Sequence, residues 1–282
     1  MERINIQGMD GASITACTRV PAEGQVKGVV IICHGFGEHA GGYSELADRL
    51  AQSGYASVVF DQRGHGDVPP KNRGVIPSYA SFLNDIECVA AEMRRQMPDA
   101  PLVLYGHSMG GNIAVNYLLR RGQRMGGICC AVLESPWLGL HNKVSPALER
   151  VARFIGNLSP KPAIINKIPP DDVTGDAKKA ECLKKDTLYH NRISFRLFSG
   201  VSDACAFALN NAADLSVPTF LAVASRDRVV SNDAIRIFNK AAAKVVTMKE
   251  YDSCHMIHND AQGDAFLSDM IAFMDGHCGA SQ

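Results

Sequence analysis

No run of this sequence is apolar for long enough to span a bilayer, and the opening Met1-Glu2-Arg3-Ile4-Asn5 lacks the apolar core of a secretion signal. Net charge is missing as well, since 29 lysines and arginines match 29 aspartates and glutamates. Without a global field, neither nucleic acid nor an anionic membrane is an implied partner. The nine cysteines do not form an even, clustered framework. They are scattered, and Cys129 and Cys130 stand side by side in an apolar run, where strand geometry would send their side chains to opposite faces. Reduced thiols in a cytoplasmic protein are the expectation. Cysteine and histidine spacings fit no zinc pattern, so neither a metal nor a cofactor is expected. Internal repeats and low-complexity tracts are also lacking.

What is present is a rhythm. Apolar, β-branched runs at Gly28 to Cys33, Ala56 to Phe60, Leu102 to Tyr105, Ile128 to Leu133, Thr219 to Ala224 and Val245 to Lys249 read as buried parallel strands. Between them, Tyr43 to Gln52, Ser81 to Met97, Met109 to Arg120, Asn232 to Ala242 and Gln262 to Met274 repeat apolar residues every three or four positions, as amphipathic helices do. Arg3 to Gln7 and Ile14 to Arg19 read as an antiparallel edge hairpin. The fold class is therefore α/β, a mostly parallel sheet with helices on both faces.

At 282 residues the chain is longer than a usual domain and shorter than two, the size of one core carrying an insertion. The rhythm breaks after Glu134 for about eighty residues. We expect a core of residues 1–135 and 216–282 and a mainly helical cap over 136–215. Ser145 suits the cap of a helix and Pro146 its first position. Val144, Leu148, Val151, Phe154, Ile155 and Leu158 would then share one face, to be buried against something. Pro160 to Lys185 is rich in proline and charge and reads as loop, with a shorter helix near Ile193 to Asn210.

The chemical signal is Gly106-His107-Ser108-Met109-Gly110, a G-x-S-x-G directly after one strand and directly before a helix. A serine at such a turn is held in a strained conformation with its hydroxyl exposed. It needs a base, and the base needs a carboxylate to hold its tautomer. With the partners following in the order acid then histidine, His255 comes first after the strand ending at Lys249, and Asp227 follows the strand ending at Ala224. Asp252 is the second choice of acid, and His258, one turn further on, reads equally well as a partly buried helix histidine. For the oxyanion, Met109 offers a backbone N–H at a helix N-terminus, and Phe36 in His34-Gly35-Phe36-Gly37 offers the other. Arg63-Gly64-His65-Gly66 lacks the lysine and spacing of a P-loop and reads as a supporting loop. Cys33 and Cys254 read as small apolar fillers beside the site.

His34-Gly35-Phe36-Gly37-Glu38-His39, Asp61-Gln62-Arg63-Gly64-His65-Gly66, Gly106-His107-Ser108-Met109-Gly110-Gly111 and Glu134-Ser135-Pro136 together resemble the monoacylglycerol lipase and lysophospholipase family of α/β-hydrolases over nearly the whole chain. The resemblance implies a triad of Ser108, Asp227 and His255, an oxyanion hole of Phe36 and Met109, and a mobile lid over an acyl pocket. Ala224-Ser225 and Asp252-Ser253-Cys254 depart from the family by lacking its glycines, and the lid is the least similar part.

The expected activity is hydrolysis of carboxylic esters, monoacylglycerol-like or other single-chain acyl esters, through an acyl-enzyme, with Leu148, Val151 and Phe154 as substrate-binding candidates. The partner is thus a small-molecule ester, lipids included. An aminopeptidase or amidase would need carboxylates to hold a substrate ammonium, with Glu149 as one candidate. A small-ester carboxylesterase is a third reading. A non-catalytic relative would lack a triad member, and all three are present.

Overall fold

A computed structural model describes residues 1–122 and 127–278. In chain order its strands are β1 (Glu2–Gln7), β2 (Ser13–Arg19), β3 (Gly28–Cys33), β4 (Tyr55–Phe60), β5 (Leu102–His107), β6 (Ile128–Glu134), β7 (Ala163–Ile165), β8 (Arg192–Ser194), β9 (Thr219–Ala224) and β10 (Val246–Tyr251). The helices are α1 (Ser44–Gln52), α2 (Ala80–Gln96), α3 (Met109–Arg121), α4 (Pro146–Leu158), α5 (Pro170–Val173), α6 (Ala177–Lys185), α7 (Phe195–Asn210), α8 (Asn232–Ala241) and α9 (Gly263–Cys278). Eight strands form one sheet in the order β1-β2-β4-β3-β5-β6-β9-β10. It is parallel from β4 to β10, and the hairpin β1–β2 adds the antiparallel edge. This is the α/β-hydrolase fold.

Every residue of β3, β4, β5 and β9 is buried, because helices cover both faces. Val29, Ile31 and Cys33 of β3 pack toward α2, α3 and α8, while Val30 and Ile32 pack toward α1 and α9. Period two fails once. Between β5 and β6 the register passes from Leu102–Ile128 to Val103–Cys130, so Cys129 is an extra residue on its strand. Cys129 and Cys130 consequently both pack toward α9, not on opposite faces as strict alternation would have it.

The connection from β6 to β9 holds α4, β7, α5, α6, β8 and α7. Ser145 Oγ accepts the Leu148 N–H and Pro146 is the first residue of α4. Two expectations for this segment need correction. Residues 160–185 are not all loop, since β7, α5 and α6 lie there, α6 being capped by Asp176 accepting from Lys178 N and Lys179 N. And α7, at 16 residues, is longer than α4, at 13. No helix among the described residues is long and apolar enough to cross a membrane.

α3 approaches its neighbouring strands very closely. A Cβ on Gly110 would lie 1.9 Å from the Cys33 carbonyl oxygen, and one on Gly106 would lie 2.4 Å from that of Gly110. Backbone on both sides cannot yield as a side chain could. Gly110→Ala should therefore cost about 3 kcal/mol or more in urea unfolding. Gly42→Ala, where an added Cβ meets nothing within 4 Å, should fall within about 1 kcal/mol of the parent protein.

Candidate active site

Ser108 lies between β5 and α3 with φ 54° and ψ −116°, a region that non-glycine residues rarely adopt. The turn is over-determined. Ser108 N–H donates to Glu134 O (3.0 Å), and Ser108 O accepts from Asn112 N (3.0 Å) and Trp137 N (2.9 Å). Met109 is the first residue of α3, so its N–H is among the helix's unsatisfied donors.

Asp227 and His255 come from loops at the C-terminal ends of β9 and β10. Asp227 Oδ1 accepts from Val229 N (2.8 Å) and Val230 N (2.9 Å), and Oδ2 lies 2.7 Å from His255 Nδ1. Both side chains are buried. The two loops are laced together without the family's glycines, through Ser225 N–H to Tyr251 O (2.9 Å) and Arg226 N–H to Ser253 O (3.0 Å). Arg226 and Arg228 pair elsewhere, with Asp252 (2.8 Å) and Asp172 (3.6 Å), and Asp252, the alternative acid, is 79% exposed.

Phe36, Ser108 and His255 line one small cleft together with Trp137, Leu140 and Asn166. The last three also line an adjoining apolar cavity of about 130 Å³, whose other walls include Leu148, Ala152, Ile193 and Phe198. Leu148 is thus among the residues lining the cavity. Val151 and Phe154 do not line the cavity and are 50% and 66% exposed. The apolar arc of α4 is wider than one face. Its small residues Ala152 and Gly156 turn inward and are its only buried positions, leaving Val151, Phe154 and Leu158 outside.

Sequence reasoning missed a charged cluster that borders the cleft. Glu38 accepts from Gly35 N (3.0 Å) and Tyr43 OH (2.6 Å), and it lies 3.1 Å from His107 Nδ1 as an ion pair without a linear hydrogen bond. Glu134 accepts from His258 N (2.9 Å), from His258 Nδ1 (2.8 Å) and from Tyr105 OH. His258 therefore stands in a 3₁₀ turn, stacked on Tyr43 at 5.2 Å, rather than inside a helix. His34 and Gln62 tie the loop of Phe36 to the next one, Gln62 N–H donating to His34 Nε2 (3.0 Å). Arg63 bridges Asp10 and Asp85, a supporting contact as expected for its loop. Cys33 is fully buried, and burial raises its thiol far above the ordinary range.

Burial, the strongest single influence, would lower His107, but the charges of Glu38 and Glu134 outweigh it and lift its pKa to about 9. Burial would raise Glu134, yet His258 and His107 bring it down to about 2. A raised histidine adds stability that is complete below its unfolded value of 6.5 and is lost as pH climbs through about 9. A lowered carboxylate adds stability present above 4.5 and lost as pH falls toward 2. These two groups together should place maximal stability between those unfolded values. Urea midpoints measured across pH should show the alkaline decline, and Glu38→Gln should flatten it; an unchanged slope would mean His107 is not charged in the folded protein.

A serine, a histidine and a carboxylate so arranged can carry nucleophilic acyl transfer. The family profile described as Hydrolase_4, serine aminopeptidase S33, matches residues 24–262. An uncharacterized abhydrolase domain-containing protein of Dictyostelium discoideum is 28% identical over 273 residues; these are 96% of this chain and 28% of that protein, so the chain spans little more than a quarter of its length. The monoacylglycerol lipase of Mycolicibacterium smegmatis is 29% identical over 258 residues, covering 89% of each chain. The crystal structure of Paleococcus ferrophilus monoacylglycerol lipase superposes with a TM-score of 0.84 at 25% identity, covering 94% of this chain and all of that one. The chain belongs to the Hydrolase_4 (serine aminopeptidase S33) family, within the monoacylglycerol lipase and lysophospholipase group of α/β-hydrolases.

Proposed function

We propose that the protein is a serine hydrolase of single-chain carboxylic esters, monoacylglycerol-like substrates foremost, working through an acyl-enzyme on Ser108. One observation carries the reading: the Ser108 and His255 cleft shares Trp137, Leu140 and Asn166 with an apolar cavity suited to an acyl chain. The similarity to the monoacylglycerol lipases of Mycolicibacterium smegmatis and Paleococcus ferrophilus supports the same substrate class.

His255 Nδ1–H donates to Asp227, which leaves Nε2 free to take the Ser108 proton as Oγ attacks the ester carbonyl. The N–H groups of Phe36 and Met109 receive the oxyanion. His255 then protonates the departing alcohol, and water, deprotonated by the same histidine, releases the acid. None of these steps needs a metal or cofactor. Residues 136–215 act as the cap, and residues 1–135 and 216–282 as the core. Outside the cavity, Val151, Phe154, Leu158, Ile164 and Ile165 expose apolar surface, which suits substrate drawn from a lipid aggregate. The location is the cytoplasm, in keeping with nine cysteines standing as free thiols.

A peptidase reading finds less support. Glu38 is the only acid among the described residues lining the two cavities, and it is already held by Gly35, Tyr43 and His107. Glu149 lines neither cavity.

Ser108 should be the one residue labelled by an activated phosphonate, and Asp227→Asn should lower kcat by about four orders of magnitude. Labelling of another serine, or near-parental activity in Ser108→Ala, would remove the assignment.

Over a homologous ester series, kcat/KM should climb roughly fourfold per methylene from acetyl to medium chains, at about 0.8 kcal/mol per buried methylene. Ala152→Phe, which fills the cavity, should move the optimum to shorter chains while Ser108 is still labelled. Phe154→Ala should leave the climb on monomeric esters unchanged. A maximum at acetyl followed by steady decline would favour a small-ester carboxylesterase instead.

A further inference from the structure

Three cysteines converge at the N-terminal end of β6, the end of the sheet remote from Ser108. Cys129 Sγ lies 3.0 Å from Cys278 Sγ and 3.8 Å from Cys130 Sγ, and all three sulfurs fall within 4.8 Å of one another. The bulge in β6 makes this possible. Because the register skips Cys129, its side chain turns to the same face as that of Cys130, toward α9, whose last residue is Cys278. Cys130 and Cys278 are buried, and Cys129 is half-buried.

We propose that Cys129 and Cys278 form an oxidation site, where a low-molecular-weight disulfide of the glutathione class joins strand β6 to the C-terminal end of α9. The Cys129 thiolate attacks one sulfur of oxidised glutathione, forming a mixed disulfide and releasing one glutathione thiolate. The Cys278 thiolate then attacks Cys129 Sγ, closing the protein disulfide and releasing the second glutathione thiolate. Two protein thiols are oxidised, one glutathione disulfide is reduced to two thiols, and the two protons end on the glutathiones.

The sulfurs need to close by about 1 Å to reach the length of a disulfide bond. Hydrogen-bonding contact with Cys130 and then with Cys278 lowers the pKa of Cys129, and contact with that same Cys129 sulfur raises the pKa of Cys278. Cys129 is also the most exposed of the three, which makes it the attacking group. Among the described residues the cluster holds three thiols and no imidazole or carboxylate, one ligand short of a closed zinc site, so a two-sulfur reaction fits it better than a metal. The bond would close a loop across a separation of 149 positions, and that loop contains Asp227 and His255.

The full chain is equilibrated in glutathione buffers from reducing to oxidising, remaining thiols are alkylated, and intact mass and peptide maps are recorded. Oxidised protein should carry two fewer alkyl groups than reduced protein and yield a Cys129–Cys278 linked peptide. Cys130→Ser should keep that peptide, and Cys129→Ser and Cys278→Ser should lose it. The thermal midpoint should rise by roughly 5–10 °C on oxidation of the parent and stay put in Cys278→Ser. Three results would each overturn the proposal. They are complete alkylation of both cysteines in oxidising buffer, a vicinal Cys129–Cys130 disulfide, and a metal ion that shields the thiols until a chelator removes it. None of these readouts depends on Ser108 chemistry.

Discussion

The backbone at Ser108 is the constraint on which the rest depends. A residue with φ 54° persists only where its surroundings leave no alternative, and here they do so with hydrogen bonds from both flanks. Glu134 O receives the Ser108 N–H, so β6 must run beside β5 to the very end of both strands. Trp137 N–H reaches Ser108 O, so the chain must turn back over the elbow as it leaves β6. Trp137 thereby becomes a wall common to the cleft and the apolar cavity. The approach of α3 to Cys33 O, open only to glycine at position 110, brings the loop of Phe36 next to the helix N-terminus.

Beneath this turn the protein buries two carboxylates, Glu38 and Glu134, each facing a histidine at about 3 Å. Buried ion pairs rarely repay the desolvation of their members, so stability alone does not account for them. Their positions do suggest an account. Glu38 joins the loop of Phe36 to Tyr43, and Glu134 joins the end of β6 to the turn of His258, three residues past His255. Tyr43 stacks on His258 and closes the circuit. The loop of Phe36, the chain leaving β6 and the loop of His255, each of which lines the cleft, are thus tied to one another.

The elbow, the parallel strands and the helices beside them were legible in the sequence because each rests on local pattern: a five-residue motif, a run of β-branched residues, an apolar repeat. Asp227 and His255 could be singled out by their positions after strands, since ends of strands on one edge of a parallel sheet must be neighbours. Other features were set by packing between distant segments and left no such trace. The rotation of α4 followed the small residues Ala152 and Gly156, which allow it to lie close to α7, rather than the larger apolar residues that dominate its pattern. The bulge at Cys129 depends on how β6 meets β5, and no property of two adjacent cysteines announces it. Glu38, His107 and Glu134 were visible inside motifs, but their partnership requires three loops to fold first.

The segment between β6 and β9 is fastened to the same loops that shape the cleft. His190 N–H donates to Gly37 O (2.9 Å), beside Phe36, and Met256 N–H donates to Val173 O (2.8 Å), beside His255. Thr174 Oγ1–H reaches Asn259 O (2.7 Å), and His39 pairs with Asp186 (2.7 Å). These ties gather on α5, α6 and the stretch leading to β8. By contrast α4 rests mainly on α7 and shows much of its apolar surface to solvent. Displacing the whole segment would pull on the Phe36 and His255 loops together, whereas shifting α4 would disturb neither. Enlarging the apolar cavity is therefore easiest on the side of Leu148 and Ala152, where the wall can move without loosening the groups around Ser108.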